Sequence, residues 1–188
     1  MTTTPIQTNR DSVSKNAPVT APTAERKATY TIPESSQSRF LIIGYGYELR
    51  GDDAVGPKVA TAVAEWRLSA VKTLAVHQLT PDLASDVSRA DYVIFVNACG
   101  GEHCARTVQL EPIVGERVPN SLPRNTSHSG DPWILLNLAS QVYGHSPQAW
   151  LLQIPTESFN FGDALSSTAQ SGCDLAVRTI EHFLQTYQ

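Results

Sequence analysis

The sequence predicts an α/β fold: one domain, built as a three-layer sandwich with a mostly parallel, twisted sheet and helices on both faces. Three observations predict it. From Arg39 onward short apolar runs alternate with helical patterns, as they do where a parallel sheet is covered on both sides. Tyr92-Val93-Ile94-Phe95-Val96 is apolar throughout, the mark of a strand buried on both faces. The apolar run Leu41-Ile42-Ile43 ends in Gly44-x-Gly46 and passes within a few residues into an amphipathic segment. That is a strand, a tight turn and a helix start, and ligands of open α/β sheets bind at that edge.

Each element has its own signal. Residues 40–44 form the first strand. Residues 53–68 form a helix in which Val55, Val59, Val63 and Trp66 recur at helical spacing, with Pro57 near its first turn where proline is tolerated. Residues 71–78 give a second strand, and Thr80-Pro81 starts a short helix running to about residue 89. The central strand 92–96 is followed by a loop over 97–106 and another strand over 107–114. Asp131-Pro132 supplies an N-cap and a first-turn proline for a helix with Leu135, Leu138, Ala139 and Val142 on its buried stripe. Residues 150–154 are the last strand. The final helix, 166–187, carries Ala176, Val177, Ile180, Phe183 and Leu184 on one face.

Composition bounds the function. The chain has 188 residues, 41% hydrophobic, with a net charge of -4, so it can bury one core in a domain of ordinary size. No basic stripe points to nucleic acid and no apolar run is long enough to span a membrane. Residues 1–38 are rich in Thr, Ser, Pro and Ala without apolar periodicity and are expected to be a disordered tail, leaving 39–188 as the folded domain. Three cysteines, Cys99, Cys104 and Cys173, argue against a disulfide framework and for a reducing cytoplasm. Cys99, His103 and Cys104 lack the second ligand pair of a structural zinc site, so Cys99 and Cys104 are expected as free loop thiols and Cys173 as core.

A dinucleotide site is disfavoured. Leu49 stands where a third glycine is needed, and Asp52-Asp53 would repel a pyrophosphate at the helix start. One of these aspartates suffices to cap the helix, which leaves the other for chemistry. Asp53 after the first strand, Asn97 after the third and His128 in the polar loop before Asp131 offer a carboxylate, an amide oxygen and an imidazole at one sheet edge. This donor set suits a borderline ion such as nickel or zinc. His77 is expected to pack or hydrogen-bond at the end of its strand, Asp82 to be a first-turn acid, Glu48 and Arg50 to form a surface pair or to contact substrate, and His145 and His182 to be exposed.

Three segments taken together resemble the hydrogenase maturation proteases. They are Gly44-x-Gly46-x-x-Leu49-x-Gly51-Asp52-Asp53-x-Val55-Gly56, Val93-Ile94-Phe95-Val96-Asn97-Ala98 and Ser127-His128-Ser129-Gly130. His77-Gln78-Leu79-Thr80-Pro81-Asp82-Leu83-Ala84, Ile154-Pro155 and Phe159-x-Phe161-Gly162 are most similar to the branch serving the bidirectional, NAD-linked hydrogenase. The resemblance implies a cytoplasmic, monomeric endopeptidase that removes the C-terminal extension of the [NiFe] hydrogenase large-subunit precursor. The precursor's own nickel is the recognition mark. It also implies that Asp53 and His128 carry the chemistry and that Asp53, Asn97 and His128 contact the nickel. Asn97 stands where the family has an acid, Tyr47 where it has Asn and Ala54 where it has glycine. A relative that binds the loaded precursor without cutting it is therefore the alternative, and a small-molecule-binding α/β module is the third possibility.

Overall fold

The structure, a computed structural model, describes residues 39–102, 104–114 and 130–187. The tail expected over 1–38, together with His103 and His128, lies outside the described residues. Along β1 (Phe40–Tyr45) every residue is buried, because successive side chains enter two different cores. Phe40 and Ile42 join one, while Leu41, Ile43 and Tyr45 join the other. β3 (Tyr92–Cys99) repeats the alternation, with Ile94 and Val96 on the first side and Val93 and Phe95 on the second. Both strands are therefore central, as their unbroken apolar runs predict.

The sheet has five strands in the order β2-β1-β3-β5-β4. β2 (Val71–Val76) and β3 pair parallel to β1, and β5 (Gln148–Pro155) pairs parallel to β3. β4 (Gln109–Pro112) runs antiparallel at the far edge. One face is covered by α1 (Val55–Ala64) and α4 (Ser167–Tyr187), through Val55, Val59, Val63, Ile180 and Phe183. The other is covered by α2 (Ala84–Val87) and α3 (Pro132–Tyr143), through Val87, Leu135 and Ala139. The predicted three-layer α/β sandwich is the observed one.

Caps and close approaches explain where the helices start. Asp131 accepts the Trp133 N–H at 2.9 Å, with Pro132 at the first helical position, and α3 stops at Gly144 in the left-handed conformation (φ 74°). α1 seats directly on the strand ends because Gly44 and Gly56 have no side chains. A Cβ on Gly44 would lie 1.9 Å from the Gly56 carbonyl oxygen. A Cβ on Gly56 would lie 2.4 Å from the Tyr45 carbonyl oxygen and 2.6 Å from that of Val96.

Several boundaries differ from expectation. Residues 51–54 form a 3-10 turn ahead of α1, which ends at Ala64 rather than Leu68. The Trp66 and Arg67 N–H groups reach back three residues to Val63 and Ala64, and Arg67 turns left-handed (φ 52°). β2 stops at Val76, so His77 lies just beyond it. β3 continues to Cys99, because pairing with β5 persists as far as Cys99 opposite Pro155. Asn97 is accordingly within the strand and not in a loop after it.

Candidate functional site

The carboxyl edge of β1 and β3 carries two buried acceptors. Asp53 sits in the 3-10 turn and is 5% exposed. Its Oδ2 accepts the Tyr47 N–H at 3.0 Å, while Oδ1 is buried and has no hydrogen-bond partner. Gly46 makes the tight approach possible. Its φ is 146°, and a Cβ there would stand 2.0 Å from the Asp53 carbonyl oxygen and 3.2 Å from Oδ1.

Asn97 follows Val96, which is in register with Gly44, so it is level with Tyr45 at the end of β1. Its Oδ1 is also buried without a partner. Burial pushes the Tyr45 phenol far above its ordinary value of 10.0. A hydrogen bond with the Asn97 side chain opposes that rise, and the charge of Asp131 adds to it. A buried acceptor left unmade costs about 1–3 kcal/mol. Here two such oxygens occur at one sheet edge, on two residues the sequence marks as candidate ligands.

His128, the third residue the sequence marks, lies outside the described residues, and the described chain resumes at Gly130. Gly130 (φ 93°) packs against Leu79, whose carbonyl oxygen would be 2.7 Å from a Cβ placed on it. Among the described residues no group of three His, Cys, Asp or Glu side chains could hold a metal.

A cleft of ≈ 430 Å³ opens beside the loop after β1, lined among others by Gly46, Tyr47, Glu48, Leu49 and His77. The Tyr47 and His77 rings stack at 4.2 Å with an interplanar angle of 19°, so His77 both packs and lines the cleft. Phe161 lies 6.2 Å from the Tyr47 ring and is 71% exposed.

Other expectations are corrected or met by the structure. Cys99 and Cys104, expected as free thiols, form a disulfide with Cα atoms 5.6 Å apart. The chain doubles back between them through Gly101 (φ 90°), whose carbonyl accepts the Cys104 N–H. Cys173 is core, and burial pushes its thiol up to about 11, which makes it a poor nucleophile. Arg50 bonds the Phe159 carbonyl at 3.1 Å, and the described ion pairs are Arg39–Asp91 and Lys72–Asp86, not Glu48–Arg50. Asp82 is a first-turn acid, and His145 and His182 are exposed.

Sequence spacing misses Asp52. Neither aspartate caps its own helix by a side-chain hydrogen bond. Fully buried, Asp52 accepts from the Glu157, Ser158 and Ser166 N–H groups at 2.8, 3.1 and 2.7 Å and from the Ser166 hydroxyl at 2.7 Å. Those donors are more than a hundred residues away, so no local motif announces them. Burial alone would raise the Asp52 carboxyl, but the bonds from Glu157, Ser166 and Ser158 outweigh it and hold it below 3.8.

Solved structures share this arrangement of strands and helices. The [NiFe] hydrogenase maturation protease HycI from Thermococcus kodakarensis KOD1 superposes with a TM-score of 0.61 at 18% identity, over 80% of this chain and 95% of that one. The fold is that of the [NiFe] hydrogenase maturation proteases. HybD from Thermococcus kodakarensis gives 0.56 at 20% identity over 77% and 98% of the two chains. The hydrogenase maturating endopeptidase HybD from E. coli gives 0.54 at 20% over 79% and 93%. No protein-family model matches the sequence, and a search of curated proteins found no match. The maturation-protease fold thus carries, at the carboxyl edge of β1 and β3, the Asp53 and Asn97 oxygens described above.

Proposed function

We propose that this protein is an endopeptidase that removes the C-terminal extension of the nickel-loaded [NiFe] hydrogenase large-subunit precursor. The observation that carries the proposal is the pair of buried, unpartnered oxygens, Asp53 Oδ1 and Asn97 Oδ1, at the ligand-binding edge of a maturation-protease fold. Nickel arrives as part of the substrate. Asp53 offers it an anionic oxygen, Asn97 a neutral one and His128 a ring nitrogen, a donor set suited to a borderline divalent ion. An ion so held would polarise the scissile carbonyl or a bound water. Asn97 cannot take a proton, so Asp53 is the acid at this edge able to act as base. The protein acts as a monomer, on the precursor of the bidirectional, NAD-linked enzyme. No helix among the described residues is long and apolar enough to cross a membrane.

Incubation with nickel-loaded precursor is expected to shorten the large subunit, and a precursor that stays intact would contradict the enzymatic proposal. Asn97, where the family has an acid, favours a second function: holding the loaded precursor without cutting it. An amide ligand lowers the negative charge at the site and the affinity for a divalent ion. If Asn97→Asp turns a binding protein into a cutting one, the second function holds. If wild type already cuts and the substitution changes the rate less than about 3-fold, well inside the effect of altering a metal ligand, the first holds.

A further inference from the structure

Asp52 and Asp53 are adjacent acids with opposite fates. Asp52 is fully buried and receives four hydrogen bonds, while Asp53 receives one and keeps a buried oxygen unpartnered. The Asp52 N–H donates to the Ser158 carbonyl at 2.9 Å, which makes the clamp reciprocal. Gly162 N–H to the Leu49 carbonyl and Arg50 Nε to the Phe159 carbonyl extend the same seam. The Ser166 hydroxyl also accepts the Ala169 N–H at the start of α4, so the clamp reaches a rigid element. The turn carrying Asp53 is thus held by the segment before α4 as well as by the backbone bond from Val55 to the Asp52 carbonyl. Four donors converge on Asp52, whereas Asp53 takes only the Tyr47 N–H and keeps Oδ1 unpartnered.

We infer that Asp52 is a positioning residue, which locks the turn 47–53 to the segment 157–166 so that Asp53 Oδ1 meets the substrate's metal in a fixed place. The inference rests on the proposed function, because the metal is the precursor's nickel. Positioning partners of metal ligands are typically worth about 10- to 100-fold in affinity or activity.

The test measures binding of the full chain to nickel-loaded and nickel-free precursor, with amide exchange followed at Tyr47 and Ser158. Wild type is expected to prefer the loaded form. Asp52→Asn, which places a donor among four donors, is expected to shrink that preference about 10-fold or more and to speed exchange at both amides. A preference that survives Asp52→Asn overturns the inference and leaves the proposed function standing. A lost preference with unchanged exchange also overturns it, since charge and not position would then be the cause. A wild type without any preference overturns the proposed function and removes the basis of the inference. Should Asp52→Asn fail to fold, Ser166→Ala removes only the hydroxyl donor. It is expected to lower the preference about 3-fold, and an unchanged value overturns the inference.

Discussion

Asp52 shows what one side chain does when the backbone delivers its donors from a distance. A carboxylate with no exposure persists because charge-assisted bonds offset its desolvation. The sign of its pH dependence follows. Its folded value lies below 3.8, so the unfolded chain binds the proton more readily and stability rises with pH through that window. The contribution is complete above 3.8 and is lost as pH falls through the depressed folded value. Denaturation series from pH 7 downward are expected to show wild type more stable than Asp52→Asn by on the order of 3 kcal/mol. The gap should narrow as pH falls below 3.8, and a gap independent of pH would contradict it. None of this was legible locally, because Glu157, Ser158 and Ser166 stand 105 to 114 positions away.

At the scale of elements, periodicity carried the expectation where packing obeys it. Val55, Val59 and Val63 at helical spacing are all buried in one core, as predicted. The apolar run stops at Val96, which in sequence puts Asn97 after its strand. The ladder does not stop there, since Asn97 pairs with Gln153. The antiparallel direction of β4 has no signature in its four residues. The Cys99–Cys104 bridge was missed because an odd, sparse cysteine set weighs against disulfides, while the reversal at Gly101 brings two of the three together. The glycines of the first motif were legible as a turn, and the structure adds their packing purpose. Gly44→Ala is expected to push α1 off β1, with a Cβ 1.9 Å from the Gly56 carbonyl oxygen. The loss should exceed about 3 kcal/mol, read as a fall in Tm, since overpacking costs about 1–3 kcal/mol and here the obstacle is backbone. A Tm within a degree or two of wild type would contradict the seating of α1.

For the whole molecule, the fold class was legible throughout, because alternating strand and helix signals leave a doubly covered sheet as the consistent answer. The site was legible in part. The sequence marks Asp53 and Asn97, and these are the two residues whose side-chain oxygens are buried and unpartnered among the described residues. The central claim is that this edge grips nickel delivered by another protein. The most direct measurement is cleavage of precursor with and without nickel, by wild type and by Asp53→Ala. Wild type is predicted to shorten only the loaded form, with the variant slower by about 100-fold or more. Equal cutting of both forms, or full activity in Asp53→Ala, would contradict the claim.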